Sequence, residues 1–121
     1  MNKKEIIYGI FKAISNKDFS DMETFMDDNI VLDFPGVKRA EGKKRVLLLL
    51  NAILRKYVKI KFDVHDVILD HNKAVAVWSN KGLTNTNENY ENRGLTLVEF
   101  YNEKVTLLSD YFKDTSFTKS N

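Results

Sequence analysis

Between residues 6 and 14 the apolar side chains Ile6, Ile7, Ile10, Phe11 and Ile14 return at the spacing of a single helix face. Asn16 and Lys17 break that pattern and end a first predicted helix. Ser20 and Glu23 then form a capping-box pair ahead of Phe25 and Met26. This predicts a short second helix that starts at Ser20, or a turn earlier at Asp18, and ends near residues 27–29. Residues 30–34 are β-prone, and Pro35-Gly36 ends that first strand because proline has no amide hydrogen to give to a ladder. After Gly42 a third predicted helix carries Val46, the leucines at 47–50, Ile53, Leu54 and Tyr57. It is apolar around much of its circumference and is therefore expected deep in the interior.

At Val58 the period changes to two. Val58, Ile60, Phe62 and Val64 alternate with Lys59, Lys61, Asp63 and His65, and the strand continues through residues 67–69 after an irregularity expected at Asp66. Asp70-His71-Asn72 reads as a turn, residues 73–81 as a third strand and the polar residues 84–89 as a connection. Residues 90–101 form a fourth strand, which a tight hairpin at Asn102-Glu103 joins to a fifth over residues 105–115. Helices followed by long antiparallel strands predict an α+β fold, with three N-terminal helices on one face of a curved, mainly antiparallel sheet. One domain spans residues 1–117, and residues 118–121 are expected to fray.

Strand parity adds a further expectation. The even positions Ala74, Ala76, Trp78, Thr96, Val98, Phe100, Leu108 and Phe112 are largely apolar, and so are the odd positions Val75, Val77, Leu95, Leu97, Val105 and Leu107. An antiparallel sheet with one wet face shows cleaner alternation than this. The second face therefore calls for cover of its own, and a homodimer through it is the expected partner.

Composition narrows the classes. At 121 residues, 43% hydrophobic and 30% charged, the chain suits one folded domain. Nineteen basic residues against 17 acidic ones leave a net charge of +2, too small to imply a nucleic-acid or membrane partner. The chain has no cysteine, which excludes disulfides, thiolate metal sites and a cysteine nucleophile, and makes a cytoplasmic location the expectation. No His and carboxylate set has metal-ligand spacing, so neither a metal nor another cofactor is expected. His65, on the polar side of its strand, and His71, in a turn, are expected to be solvated.

The segment Asn89-Tyr90-Glu91-Asn92-Arg93-Gly94, the strand end Val98-Glu99-Phe100, and residues 108–115 (Leu-Ser-Asp-Tyr-Phe-Lys-Asp-Thr) resemble the SnoaL-like polyketide cyclase group of the nuclear transport factor 2-like superfamily. The N-terminal half agrees, through Asn16-Lys17-Asp18-Phe19, residues 28–36 and Glu41-Gly42-Lys43. The resemblance implies a cystatin-like cone of strands wrapped round a long helix, with a pocket inside. It leaves function open, because the superfamily holds isomerases, cyclases, epoxide hydrolases, dehydratases and non-catalytic binders.

Two of these chemistries fit the residues poorly. The positions of the ketosteroid isomerases' base, tyrosine and second acid align with Phe34, Ile10 and Thr96, none of which matches. The limonene-type epoxide hydrolases' Arg-x-Asp pair aligns with Trp78 and Asn80, although their last-strand carboxylate aligns with Asp110. What remains is a constellation of Asp110 and Asp33 as candidate catalytic carboxylates, in a ligand pocket made by Phe34, Phe62, Trp78, Asn80, Thr96 and Phe112. SnoaL-type cyclases use one carboxylate to take a proton from a carbon next to a carbonyl, and apolar surroundings would raise the pKa of Asp110 toward that task. The competing reading makes Asp110 a hydrogen-bonded strand end or an ion-pair partner of Arg93 or a lysine. The chain is thus read as a binder of a small, largely apolar molecule. It is either a lyase, isomerase or cyclase acting through Asp110, or a non-catalytic ligand-binding or dimerisation module.

Overall fold

A computed structural model describes residues 2–114. In chain order the elements are helix α1 (Lys3–Asn16), a 3-10 turn (Met22–Phe25), strands β1 (Met26–Asp33) and β2 (Ala40–Glu41), helix α2 (Lys43–Leu54), and strands β3 (Tyr57–Asp70), β4 (Lys73–Thr84), β5 (Asn89–Tyr101) and β6 (Lys104–Phe112). The expected end of the last strand at Thr115 and the tail at 118–121 lie outside the described residues.

Helix α1 forms where its period predicts. The Asn2 side chain accepts the Glu5 amide at 2.8 Å, Lys17 closes the C-terminus in the left-handed region at φ 54°, and Ile6, Ile7, Ile10 and Phe11 are buried. The expected second helix is not an α-helix, so two α-helices stand where three were predicted. The Ser20 amide and hydroxyl both bond to Asp18 Oδ1, at 3.0 and 2.7 Å, so this serine closes a local turn instead of capping a helix. Only the four-residue 3-10 turn forms, and the chain is already extended at Met26, which pairs with Val105 of β6. Residues 27–29 therefore belong to β1, four residues earlier than the local sequence suggests.

The six strands lie in the order β2-β1-β6-β5-β4-β3. β1 and β6 are parallel, and every other neighbouring pair is antiparallel. Asn102 and Glu103, at φ 49° and 63°, make the two-residue hairpin whose handedness matches strand twist. The irregularity expected at Asp66 is a register shift between Val64 and Asp66. Two glycines let the strands bend against one another. A Cβ on Gly82 would run into the Lys59 carbonyl oxygen, and one on Gly94 into that of Tyr111.

Helix α1 packs on β3 and α2 on β1, covering the face that carries Ala74, Ala76, Trp78, Thr96, Val98, Phe100 and Leu108. Each large aliphatic or aromatic side chain buried there contributes about 1.5–3 kcal/mol. Val105 departs from its expected outer position. Glu99 pairs with Leu107 and Phe100 with Val105, so Thr106 is an extra residue, and this bulge turns Val105 inward to 1% exposure. The outer face keeps Val75, Val77, Leu95, Leu97 and Leu107, all half-buried, beside the exposed Ile68 and Tyr111.

Candidate functional site

Helix α2 and the inner face of the sheet leave a cavity of about 60 Å³ between them. Leu50, Ile53 and Leu54 of α2 form one wall and Ile60 and Phe62 of β3 another. Trp78 and Asn80 reach it from β4, and Asp110 and Phe112 from β6. Phe34, just past the end of β1, closes a further side. The aromatic walls touch one another. Phe62 and Trp78 meet edge to face at 4.9 Å between centroids, and Phe34 and Phe112 lie 5.4 Å apart.

Asp110 pairs with Thr96 across β5 and β6, and the Thr96 hydroxyl donates to Asp110 Oδ1 at 2.6 Å. The Trp78 indole N–H donates to the same Thr96 oxygen at 3.0 Å. An indole N–H can only donate, so Thr96 must accept from it, and the threonine hydrogen is left for the carboxylate. The order Trp78 to Thr96 to Asp110 thus has a fixed direction. Burial pushes the Asp110 carboxyl up to about 6, the Thr96 bond opposes that rise, and the charge of Asp33 adds to it.

Asp33 does not join Asp110 in the cavity wall. It lies opposite Ser109 in the β1–β6 pair, its side chain is 42% exposed, and Arg39 approaches it at 3.6 Å. The Ser109 hydroxyl donates to it at 3.4 Å. Phe34, its neighbour, takes the inward position instead. Phe34, Phe62, Trp78, Asn80 and Phe112 all line the cavity, whereas Thr96 lies behind Asp110 as its hydrogen-bond donor. Asp110 has Thr96, and not Arg93, as that donor.

Asn80 is 6% exposed, and its Oδ1 is buried with no hydrogen-bond partner among the described residues. Tyr57 and Tyr90 also line the cavity, their rings 5.0 Å apart. Tyr57 donates to the Tyr90 hydroxyl, which also accepts from Asn92 Nδ2 at 2.9 Å. Burial is the main cause holding both phenols above their ordinary pKa. Sequence reasoning counted Tyr57 with the apolar face of a helix and gave Tyr90 no role in the site. Carrying the even parity of the fourth strand back from Thr96 through Asn92 to Tyr90 would have placed Tyr90 inward.

Outside the cavity, His65 Nε2 lies 2.7 Å from the Ser79 hydroxyl, and His71 Nδ1 lies 2.7 Å from Asp70. Among the described residues no group of three or more His, Asp or Glu side chains is arranged to hold a metal ion, and no helix is long and apolar enough to cross a membrane. In chemical terms the cavity offers one carboxyl of raised proton affinity, one amide and two linked phenols inside aromatic and aliphatic walls.

Comparison with known proteins agrees with this architecture. A putative SnoaL-like polyketide cyclase from Jannaschia sp. CCS1 superposes with a TM-score of 0.82 at 12% identity, over 90% of this chain and 83% of its own. An NTF2-like protein of unknown function from Burkholderia pseudomallei K96243 gives 0.85 at 11%, over 93% and 92%. An M. tuberculosis LEH-like epoxide hydrolase gives 0.76 at 19%, over 90% and 76%. At these identities the likeness carries the fold, which is NTF2-like. No curated protein matches the sequence significantly. The SnoaL-like domain profile matches residues 8–108, from the middle of α1 into β6, ending two residues before Asp110, and so takes in all of α2 and most of the sheet. This chain belongs to the SnoaL-like domain family.

Proposed function

We propose that this chain binds a small, largely apolar molecule in the cavity under its sheet and uses Asp110 as a general base toward it, in a lyase, isomerase or cyclase reaction. The observation that carries the reading is the Asp110 carboxyl in a largely apolar wall, tied at one oxygen to Thr96 and raised to about 6. A base of that strength is ionised at neutral pH and still basic enough to matter. In the step envisaged, a C–H bond next to a carbonyl breaks, the proton passes to the carboxylate, and the electron pair moves onto the carbonyl oxygen as an enolate. Asp33 acts from outside the wall, through its charge.

The epoxide hydrolase activity of one neighbour is not carried over, because Trp78 and Asn80 stand where that chemistry uses an arginine and an aspartate. The alternative is a non-catalytic ligand-binding or dimerisation module. It is favoured by the cavity size, about 60 Å³, against the several hundred typical of enzyme pockets. Deuterium exchange next to the carbonyl of small cyclic ketones in heavy water separates the two. Catalysis predicts exchange above buffer that D110N abolishes. Exchange no faster than buffer with the wild type supports the binding module, and equal rates above buffer in both proteins overturn the role of Asp110.

The half-buried outer residues Val75, Val77, Leu95, Leu97 and Leu107 support a homodimer as part of this reading. Sedimentation at micromolar concentration showing only monomer would remove it. The small net charge supports neither a nucleic-acid nor a membrane partner, and the cytoplasmic location rests on composition alone.

A further inference from the structure

We infer that Asn80 selects and orients the ligand of this cavity: its side-chain amide nitrogen donates a hydrogen bond to a neutral oxygen of the ligand, a carbonyl or an ether, and so turns the ligand's C–H side toward Asp110. The inference deepens the reading above and rests on it. Among the described residues Asn80 Oδ1 is the one enclosed side-chain polar atom without a partner. The Nδ2 of the same amide has no protein acceptor among those residues either, yet it is not enclosed, so it is the atom that the amide presents to the cavity. A donor set among aromatic and aliphatic walls, with no protein oxygen to meet it, gains from an acceptor brought to it.

Three other donors around the cavity are already committed. The Trp78 N–H goes to Thr96, the Thr96 hydroxyl to Asp110 Oδ1 and the Tyr57 hydroxyl to Tyr90. Asp110 keeps its second oxygen for the cavity, as an acceptor. The two groups stand apart in the sheet: Asn80 lies opposite Asn92 and Asp110 opposite Thr96, with Trp78, Gly94 and Phe112 in register between them. A ligand oxygen is therefore drawn to Asn80 and repelled by the carboxylate, and this pair of forces sets the direction in which the molecule lies. No lysine, arginine or histidine lines the cavity, so an anionic oxygen would find no counter-charge beside Asp110, and the oxygen selected is a neutral one. Phe34 and Phe112, both half-buried, move outward to admit a ring.

Cyclopentanone and methylenecyclopentane have the same shape and differ in the oxygen. Each is titrated into the full chain at about pH 8, where Asp110 is ionised and has no hydrogen to give, while NMR follows the Trp78 indole. The two probes differ in hydration, so the quantity read is the change in their affinity ratio: the ratio should move about three- to ten-fold against the ketone from wild type to N80L. The infrared C=O stretch of bound, carbon-13-labelled cyclopentanone should lie below its value in hexane in the wild type and return to that value in N80L. A hexane-like stretch in the wild type overturns the role of Asn80 and leaves the cavity standing as a binding site, as does an affinity ratio unchanged in N80L. No shift at Trp78 with either probe overturns both. If N80L does not fold, two wild-type signals decide: the C=O stretch, and the Asn80 side-chain amide protons, which should move downfield with the ketone and not with the alkene.

Discussion

Across the β5–β6 pair the Thr96 hydroxyl gives its hydrogen to Asp110 Oδ1 at 2.6 Å, and the Trp78 indole at 3.0 Å compels it to do so. Replacing Thr96 with valine keeps the shape and removes both bonds. The carboxylate then loses the contact that lowers its pKa, and the indole N–H loses its acceptor in a buried setting. T96V should therefore titrate at Asp110 above the wild-type value of about 6 and be less stable by about 1–3 kcal/mol. Carboxyl-carbon NMR across pH and a urea melt measure the two effects. An unchanged Asp110 titration would mean that the threonine hydrogen is directed elsewhere.

Stability should also depend on pH through Asp110. Its carboxyl moves from 3.8 in the unfolded chain to about 6 in the folded one, so between those values the folded state holds more protons. Stability therefore falls as pH rises from about 4 to about 6 and changes no further from this cause above that. The contribution is up to roughly 2–3 kcal/mol. D110N removes it, so the difference in unfolding free energy between wild type and D110N should shrink or reverse as pH drops from 7 to 4. Parallel stability profiles for the two proteins would contradict the raised carboxyl.

Local patterns were legible in the sequence where both the element and its face are set by neighbours in the chain. Two-residue alternation put Trp78 and Thr96 on the inner face of the sheet, and the 3.6-residue period buried Ile7 and Ile10. Features fixed by distant pairing were not legible. Val105 turns inward only because Thr106 is extra against β5, and β1 starts at Met26 because β6 pairs with it there. In the site, Asp110 shows in the sequence as a late-strand carboxyl among apolar neighbours. Tyr57 and Tyr90 come from a helix–strand junction and a strand start, where periodicity is weakest, and meet only when the chain closes. The orphaned oxygen of Asn80 is likewise a property of packing, since an isolated asparagine in a strand gives no sign of what surrounds it.

The two positions where added methyl groups test backbone geometry should differ sharply. In Gly94 a methyl meets the Tyr111 carbonyl oxygen and the Phe112 backbone, neither of which yields without breaking the β5–β6 ladder. G94A should cost roughly 3 kcal/mol or more and displace Phe112 from the cavity wall. Gly42, just before α2, has open space around it but a φ of 94°, so G42A should cost only the strain of that backbone conformation, about 1–3 kcal/mol. Denaturant melts of both variants give the comparison, and similar losses would mean that the close approach at Gly94 relaxes freely.

Asn80 gives the converse case, a residue whose removal should stabilise the empty protein. Its Oδ1 is buried without a partner among the described residues, so leucine, of the same branched shape and larger toward the adjoining cavity, exchanges an unsatisfied acceptor for apolar contact with Phe62, Trp78 and Tyr90. N80L should melt higher than wild type, by about 1 kcal/mol of unfolding free energy. Denaturant melts of the two proteins measure the difference. A leucine variant less stable than wild type in the absence of ligand would mean that the asparagine is structural, held by contacts worth more than the oxygen it leaves unpaired.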